Sequence, residues 1–336
     1  MPIALTSIGF VVAALAAGAM GFAIQRGATC TVAAVDEVVR KRRVKRLAAM
    51  FEASLWVAGG LAVAQVLHLL PTMPVGVSVT AGTVFGGVLL GTGAWINRAC
   101  VFGAIARLGS GEWSYAVTPL GYYTGCVSFA SVVRAPSANA LPAGSPVLAM
   151  APGFAILFVA FVLWRCGRQL FAAHGASRGG SIALRLREAV TNDLWSPHAA
   201  TTVIGITFLV LLLTAGAWTY TDVLAELARG MTANVFARTL LLLALFAGAA
   251  VGGWTAGRFR STPMTARGVA RCFAGGTLMG WGSLWIPGGN DGLILVGMPL
   301  LWPYAWAAFL SMCAAIGTAM LAQRALAARR LGRFAS

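Results

Sequence analysis

Residues 86–103 read GGVLLGTGAWINRACVFG, and residues 275–292 read GGTLMGWGSLWIPGGNDG. Aligned without gaps, Gly86/Gly275, Gly87/Gly276, Leu89/Leu278, Gly91/Gly280, Gly93/Gly282 and Gly103/Gly292 are identical. Each copy begins as a glycine-rich apolar helix and ends in a polar tip, Asn97–Cys100 in the first and Gly288–Asp291 in the second. Small residues let helices approach closely inside a membrane, and a broken helix is tolerated there where it lines a cavity. A break frees backbone N–H groups, and the N-terminus of the following helix favours an anion. Read alone, Gly288–Gly289 is equally a turn with Asn290 and Asp291 capping the next helix.

The chain around the repeat has the same character. Of 336 residues, 59% are hydrophobic and 10% charged, with a mean hydropathy of +0.81. That is too little charge to cover a soluble domain of this length. Apolar blocks of roughly 17–25 residues match a hydrocarbon core about 30 Å thick. They predict about nine spans, at 8–25, 47–69, 80–97, 114–132, 147–164, 201–219, 235–256, 271–287 and 301–322. The expected fold is all-α, a polytopic membrane bundle with re-entrant or broken helices and two pseudo-symmetric halves related by an inverted repeat. It forms one domain over 1–336: a first half to about 164, a basic loop 165–198, a second half from about 199 to 323, and a basic tail 324–336.

The net charge of +16 is clustered. Basic residues crowd Arg40–Arg46, Arg165–Arg187, Arg258–Arg271 and Arg324–Arg333, with Arg98 and Arg107 bracketing a shorter stretch. Such clusters between apolar blocks follow the positive-inside rule. One threading puts all of them in the cytoplasm, with the N-terminus outside and the C-terminus inside a bacterial inner membrane. The first copy of the repeat then runs inward and the second outward. No basic run is interleaved with aromatics, so nucleic acid is not an expected partner; membrane lipids are.

Six cysteines, at 30, 100, 126, 166, 272 and 313, show no CxxC spacing and no neighbouring histidine. They suggest neither a metal site nor a disulfide framework, and no cofactor is expected. The histidines, His68, His174 and His198, sit near span ends or in the inner loop, which argues against an intramembrane protease. No Walker A motif is present, so any ATP would be used by a partner.

Three stretches in order, GFAIQRGATCTVAAVDEV (21–38), GTGAWINRACVFGAIARLGSGEW (91–113) and GGTLMGWGSLWIPGGNDG (275–292), together resemble the YeeE/YedE family of thiosulfate importers and related sulfur-compound transporters. The resemblance implies an all-α membrane fold of two halves, narrowed at its middle by cysteines that pass the substrate through transient S–H···S hydrogen bonds. It places Cys30 after Gln25 and Arg26 in the first motif, Cys100 after Asn97 in the second, and matches Cys313 to a looser late cysteine. Where the third motif usually carries a cysteine before the asparagine, this chain has Gly289. A cytoplasmic sulfur-carrier protein is the implied acceptor.

A thiol is a weak, soft donor, able to strip water from a soft anion without trapping it. The expected function is inward transport of a small sulfur-containing anion, thiosulfate-like or a sulfane-sulfur species, with no catalytic residues. Cys30, Cys100 and Cys313 are the expected pore thiols. Asn97, Gly288, Gly289 and Asn290 would be polar lining, and Arg26 or Arg98 would draw the anion near the inner face. The alternative is a membrane-embedded sensor of the same fold that binds a sulfur compound and signals through the loop 165–198. Asp291 sits awkwardly on an anion path in either case.

Overall fold

The computed structural model describes residues 7–132, 139–141, 144–175, 194–231, 234–286 and 288–334. Among these the chain is helical without strands, and two isolated bridges, Val77–Ala140 and Glu112–Thr262, pin loops together. Twelve helices can be numbered in chain order: α1 (Ile8–Arg26), α2 (Thr31–Lys41), α3 (Lys45–Val66), α4 (Ala81–Asn97), α5 (Val101–Gly109), α6 (Val117–Val132), α7 (Ala151–Gly175), α8 (Pro197–Ala215), α9 (Tyr220–Ala228), α10 (Val235–Thr255), α11 (Ala266–Trp285) and α12 (Pro303–Phe334). Between α11 and α12, Asn290–Gly292 is one helical turn that runs into a π-helical turn, Leu293–Gly297. Most of the basic loop expected at 165–198 lies outside the described residues.

Seven helical stretches among the described residues are long and apolar enough to cross a bilayer: Ile8–Lys41, Lys45–Val66, Ala81–Gly109, Ala151–Arg168, Pro197–Ala215, Val235–Thr255 and Pro303–Arg330. That is seven rather than the nine expected. The two remaining stretches, 114–132 and 271–287, are helical as α6 and α11 but fall short on that measure. The described α6 is 16 residues long. Helix α11 carries Arg267 and Arg271 near its start and is rich in small residues, burying Gly275, Gly276, Gly280, Gly282 and Ser283 beside Met279 and Leu284.

Caps set the entry of several spans. Ser7 accepts the Phe10 N–H at 3.2 Å at the start of α1, Thr80 and Thr83 form a reciprocal capping box on α4, and Ser196 with Pro197 opens α8. Glycine then lets backbone meet backbone. A Cβ on Gly21 of α1 would lie 1.9 Å from the Leu245 carbonyl oxygen of α10, and one on Gly248 would lie 1.9 Å from that of Gly18. The two glycine-rich stretches pack against each other antiparallel. Gly86 faces the Gly282 carbonyl and Gly93 faces that of Gly275, where a Cβ would sit at 2.8 and 2.7 Å. The other face of α11 closes on α6, where a Cβ at Gly276 or Gly280 would meet the Thr118 or Tyr122 carbonyl at 2.4 or 2.3 Å. The repeated glycines are therefore packing residues.

Replacing Gly21 or Gly248 by alanine should lower stability by about 1–3 kcal/mol through overpacking. Gly153, at the start of α7, has nothing within 4 Å of its Cβ position, so Gly153→Ala should stay within about 0.5 kcal/mol of wild type. Thermal unfolding of the detergent-solubilised protein reads the difference.

Candidate functional site

Four spans break. Helices α1, α4, α8 and α11 each stop, cross three or four residues, and resume as a short helix: α2, α5, α9 and the turn at Asn290. Each break contains one residue in the left-handed region, Ala28 (φ +46°), Arg98 (+60°), Gly216 (+83°) and Gly288 (+106°). The residues that open the resumed segments are Cys30, Cys100, Thr219 and Gly289. Of these only Thr219 caps through its own side chain, accepting the Asp222 N–H at 3.3 Å. The other three leave N–H groups that need acceptors from elsewhere.

The first two breaks supply each other. The Thr31 N–H at the start of α2 donates to Cys100 Sγ at 3.1 Å, which sets Cys100 beside the residue that follows Cys30. Gly103 makes the space, since a Cβ there would lie 2.4 Å from Cys30 Sγ. Asn97 holds the second break in shape: its Nδ2 donates to the Ala99 carbonyl at 2.8 Å, its Oδ1 accepts from Thr118 at 3.2 Å, and its carbonyl accepts from the Tyr115 hydroxyl at 3.2 Å. It is fully buried, as is Cys100, while Cys30 is 9% exposed.

The other two breaks pair through oxygen. The Thr221 N–H donates to Asp291 Oδ2 at 3.1 Å, and the Thr221 hydroxyl donates to Asp291 Oδ1. Thr221 also fills the space beside Gly289, where a Cβ would lie 2.5 Å from its Oγ1 and 2.8 Å from its Cβ and Cγ2. No side chain fits at position 289 while Thr221 stays in place. The two sets of breaks touch through Asn290, whose Nδ2 donates to Thr31 Oγ1 at 3.4 Å.

A wide vestibule of about 1290 Å³ opens over the first pair of breaks. Seven arginines line it, Arg40, Arg46, Arg98, Arg107, Arg267, Arg271 and Arg324, together with Cys30 and Gly103. Its two acidic residues are already committed, Asp36 to Arg40 and Glu112 to Arg107. The surplus of positive charge over low-dielectric walls concentrates small anions. At the wall, Tyr115 lies between two guanidinium groups, 5.2 Å from that of Arg107 and 5.7 Å from that of Arg271.

Of the residues expected to form the site, Cys30 and Arg98 line the vestibule. Cys100, Asn97, Gly288, Gly289 and Asn290 lie at the breaks behind it. Arg26 is elsewhere. It is fully buried, with Nη2 donating to Thr255 Oγ1 at 2.9 Å and its guanidinium 5.0 Å from the Phe22 ring. Cys313 is partly buried on α12 and does not line the vestibule. Cys126 donates to the Gly280 carbonyl at 3.7 Å and Cys272 is buried, while Cys166 is exposed. Among the described residues no cluster of histidine, cysteine and carboxylates could hold a metal.

The model of a sulphur transport family matches residues 26–319. The chain belongs to this family, YeeE/YedE. That match together with the seven apolar helices marks a membrane protein of sulfur-compound transport. No curated protein matches the sequence. Within this sulphur transport protein the break between α8 and α9 is the feature that span-by-span reading missed. Its signal is Gly216 followed by Thr219–Tyr220–Thr221–Asp222, a C-terminal glycine and an N-cap threonine close together.

Gly289→Ala and Gly289→Cys should each lower the thermal stability of the purified protein by about 1–3 kcal/mol. Gly292→Ala should be tolerated, because the nearest atom to its Cβ position, Thr219 Oγ1, is 3.9 Å away.

Proposed function

We propose that the protein carries a small sulfur-containing anion, thiosulfate or a sulfane-sulfur species, inward across a bacterial inner membrane through the constriction at Cys30 and Cys100. The observation that carries this reading is the meeting of two helix breaks at Cys30 and Cys100, joined by the bond from the Thr31 N–H to Cys100 Sγ, with Cys30 opening onto the seven-arginine vestibule. Every arginine of that vestibule belongs to α2 or to sequence that the positive-inside rule assigns to the cytoplasm. The N-terminus is then outside, the C-terminus inside, and the vestibule is the exit.

The chemistry follows from the donors present. Thiols offer weak, polarizable contacts that hold a soft sulfur anion loosely enough to release it. Arg98 receives it on the vestibule side; Cys313 would give a further soft contact on α12. Asn290 and the backbone at Gly288–Gly289 form the polar end of the path, and Asn97 holds Cys100 in position. Arg26 serves to lock α1 against α10. The emptied vestibule suits a cytoplasmic sulfur-carrier protein as acceptor. The two halves relate as an inverted repeat: Gly103 faces Cys30 Sγ, while its aligned partner Gly292 faces Thr219 Oγ1.

Proteoliposomes holding the purified protein should take up radiolabelled thiosulfate saturably. Cys30→Ala and Cys100→Ala should each lose at least about tenfold of the rate, about 1.4 kcal/mol of barrier. Cys100→Ser keeps an acceptor for the Thr31 N–H, so it should fold like wild type and still transport poorly. Wild-type rates in all three variants would contradict the thiol path. Arg98→Ala and Arg271→Ala should slow uptake most at low ionic strength, with the deficit shrinking as salt screens the vestibule.

A further inference from the structure

Asp291 has no place in a thiol relay for anions, yet it lies where the second pair of breaks meets, 2% exposed. No Lys, Arg or His approaches it within ion-pair distance among the described residues. Its hydrogen bonds come from the Thr221 N–H and hydroxyl, both neutral donors. A carboxylate fixed at membrane depth beside the path would repel any anion arriving at Gly289 and Asn290. A carboxylic acid would not.

A second, independent feature lies against the same group. A cavity of about 10 Å³ is lined by Asp291, Thr219 and Trp218 among apolar side chains. The Trp218 indole is fully buried and its Nε1–H meets no acceptor among the described residues. That space suits one water molecule, which needs two to four polar partners. The indole N–H as donor, the Thr219 hydroxyl and the Asp291 carboxyl provide three. A water held there is a route by which a proton reaches or leaves Asp291.

We propose that Asp291 binds the coupling proton of transport, so that the anion moves inward with one proton through the Trp218–Thr219–Asp291 water site. This rests on the transport reading above. The proton adds to an Asp291 carboxyl oxygen from the outer side, the anion passes the neutral acid, and the proton leaves to the inner side once the anion has entered the vestibule. No electrons move, and the carboxylate is restored. Intramembrane acids without a fixed counter-charge serve as proton relays in other transporters.

The groups that face Asp291 fit this role. From α9 come Tyr220 and Asp222, and the Asp222 carboxylate also stands 3.4 Å from the Cβ position of Gly288. Helix α6 contributes Tyr122, and α12 contributes Tyr304 on the Asp222 side. Helix α3 meets the turn after Asp291 through Ser54, which donates to the Ile294 carbonyl at 2.6 Å, while its Glu52 is held by Arg165 and His198. Glu226 of α9 is neutralised by Arg238 of α10. Among the described residues, the carboxylate left near Asp291 is Asp222, which makes a second negative charge there less favourable still.

The test uses proteoliposomes of the full chain with the membrane potential clamped at zero, radiolabelled thiosulfate on both sides, and a trapped pH dye. With the outside one pH unit more acidic, wild type should accumulate thiosulfate inside by about tenfold, the ratio set by one coupled proton. Adding thiosulfate outside should acidify the lumen. Asp291→Asn should settle at an inside-to-outside ratio near one with no thiosulfate-dependent acidification. Trp218→Phe should slow the acidification. A wild-type ratio near one despite the pH gradient overturns the coupling while leaving transport standing. So does accumulation by Asp291→Asn equal to that of wild type. Absence of any thiosulfate flux in wild type overturns transport itself and the coupling with it.

Discussion

A backbone N–H that loses its helical acceptor inside a bilayer has no water to turn to, and leaving it unpaired costs several kcal/mol. Four helices of this protein stop and restart, so the arrangement depends on where those amides find acceptors. At the first pair of breaks the acceptor is a thiol sulfur: Thr31 N–H donates to Cys100 Sγ. At the second pair it is a carboxyl group: Thr221 N–H donates to Asp291. Each cross-break bond ties two helices far apart in sequence and fixes the position of a side chain, Cys100 in one and Asp291 in the other.

The glycine-rich packing serves that constraint. Helices α4 and α11 approach closely because Gly86, Gly93, Gly275 and Gly282 present bare backbone to each other, and this antiparallel contact sets Asn97 against Gly275 at one end and Ile286 against Gly86 at the other. With that geometry set, the two pairs of breaks diverge in chemistry. One offers polarizable sulfur and a glycine that leaves room for it; the other offers hydroxyl and carboxyl oxygen, with Thr221 occupying the space a side chain at 289 would need. The glycine at 289 is therefore matched by its surroundings. The vestibule charge completes the asymmetry, with seven arginines gathered on the thiol side.

Much of this was legible in the residues. Two of the breaks announced themselves as the polar tips of the repeat, Asn97–Cys100 and Gly288–Asp291, and the basic clusters gave the two copies opposite directions, as α4 and α11 have. The basic clusters foretold a positively charged face. Other features depend on contacts that pattern cannot show. The break at Gly216–Thr219 was hidden because Ala217 and Trp218 keep that stretch apolar enough to pass as the end of the span expected at 201–219, with no helix expected after it. Arg26 belonged by sequence with the vestibule arginines, yet Phe22 one turn earlier and Thr255 on α10 hold it away from that cavity. The role of Thr221 in closing position 289 could not be seen either, because the two residues come together only when α9 folds back beside the last break.

The central claim is that a sulfur anion occupies the space between Cys30 and Cys100. The most direct measurement is the alkylation rate of Cys30 by a small, charged, membrane-impermeant thiol reagent applied from the vestibule side, in a chain whose cysteines at 126, 166, 272 and 313 are replaced. The account predicts that thiosulfate slows this alkylation in a saturable way, at the concentrations that saturate uptake, and that sulfate at equal ionic strength does so far less. Labelling of Cys30 at the same rate with and without thiosulfate would contradict it.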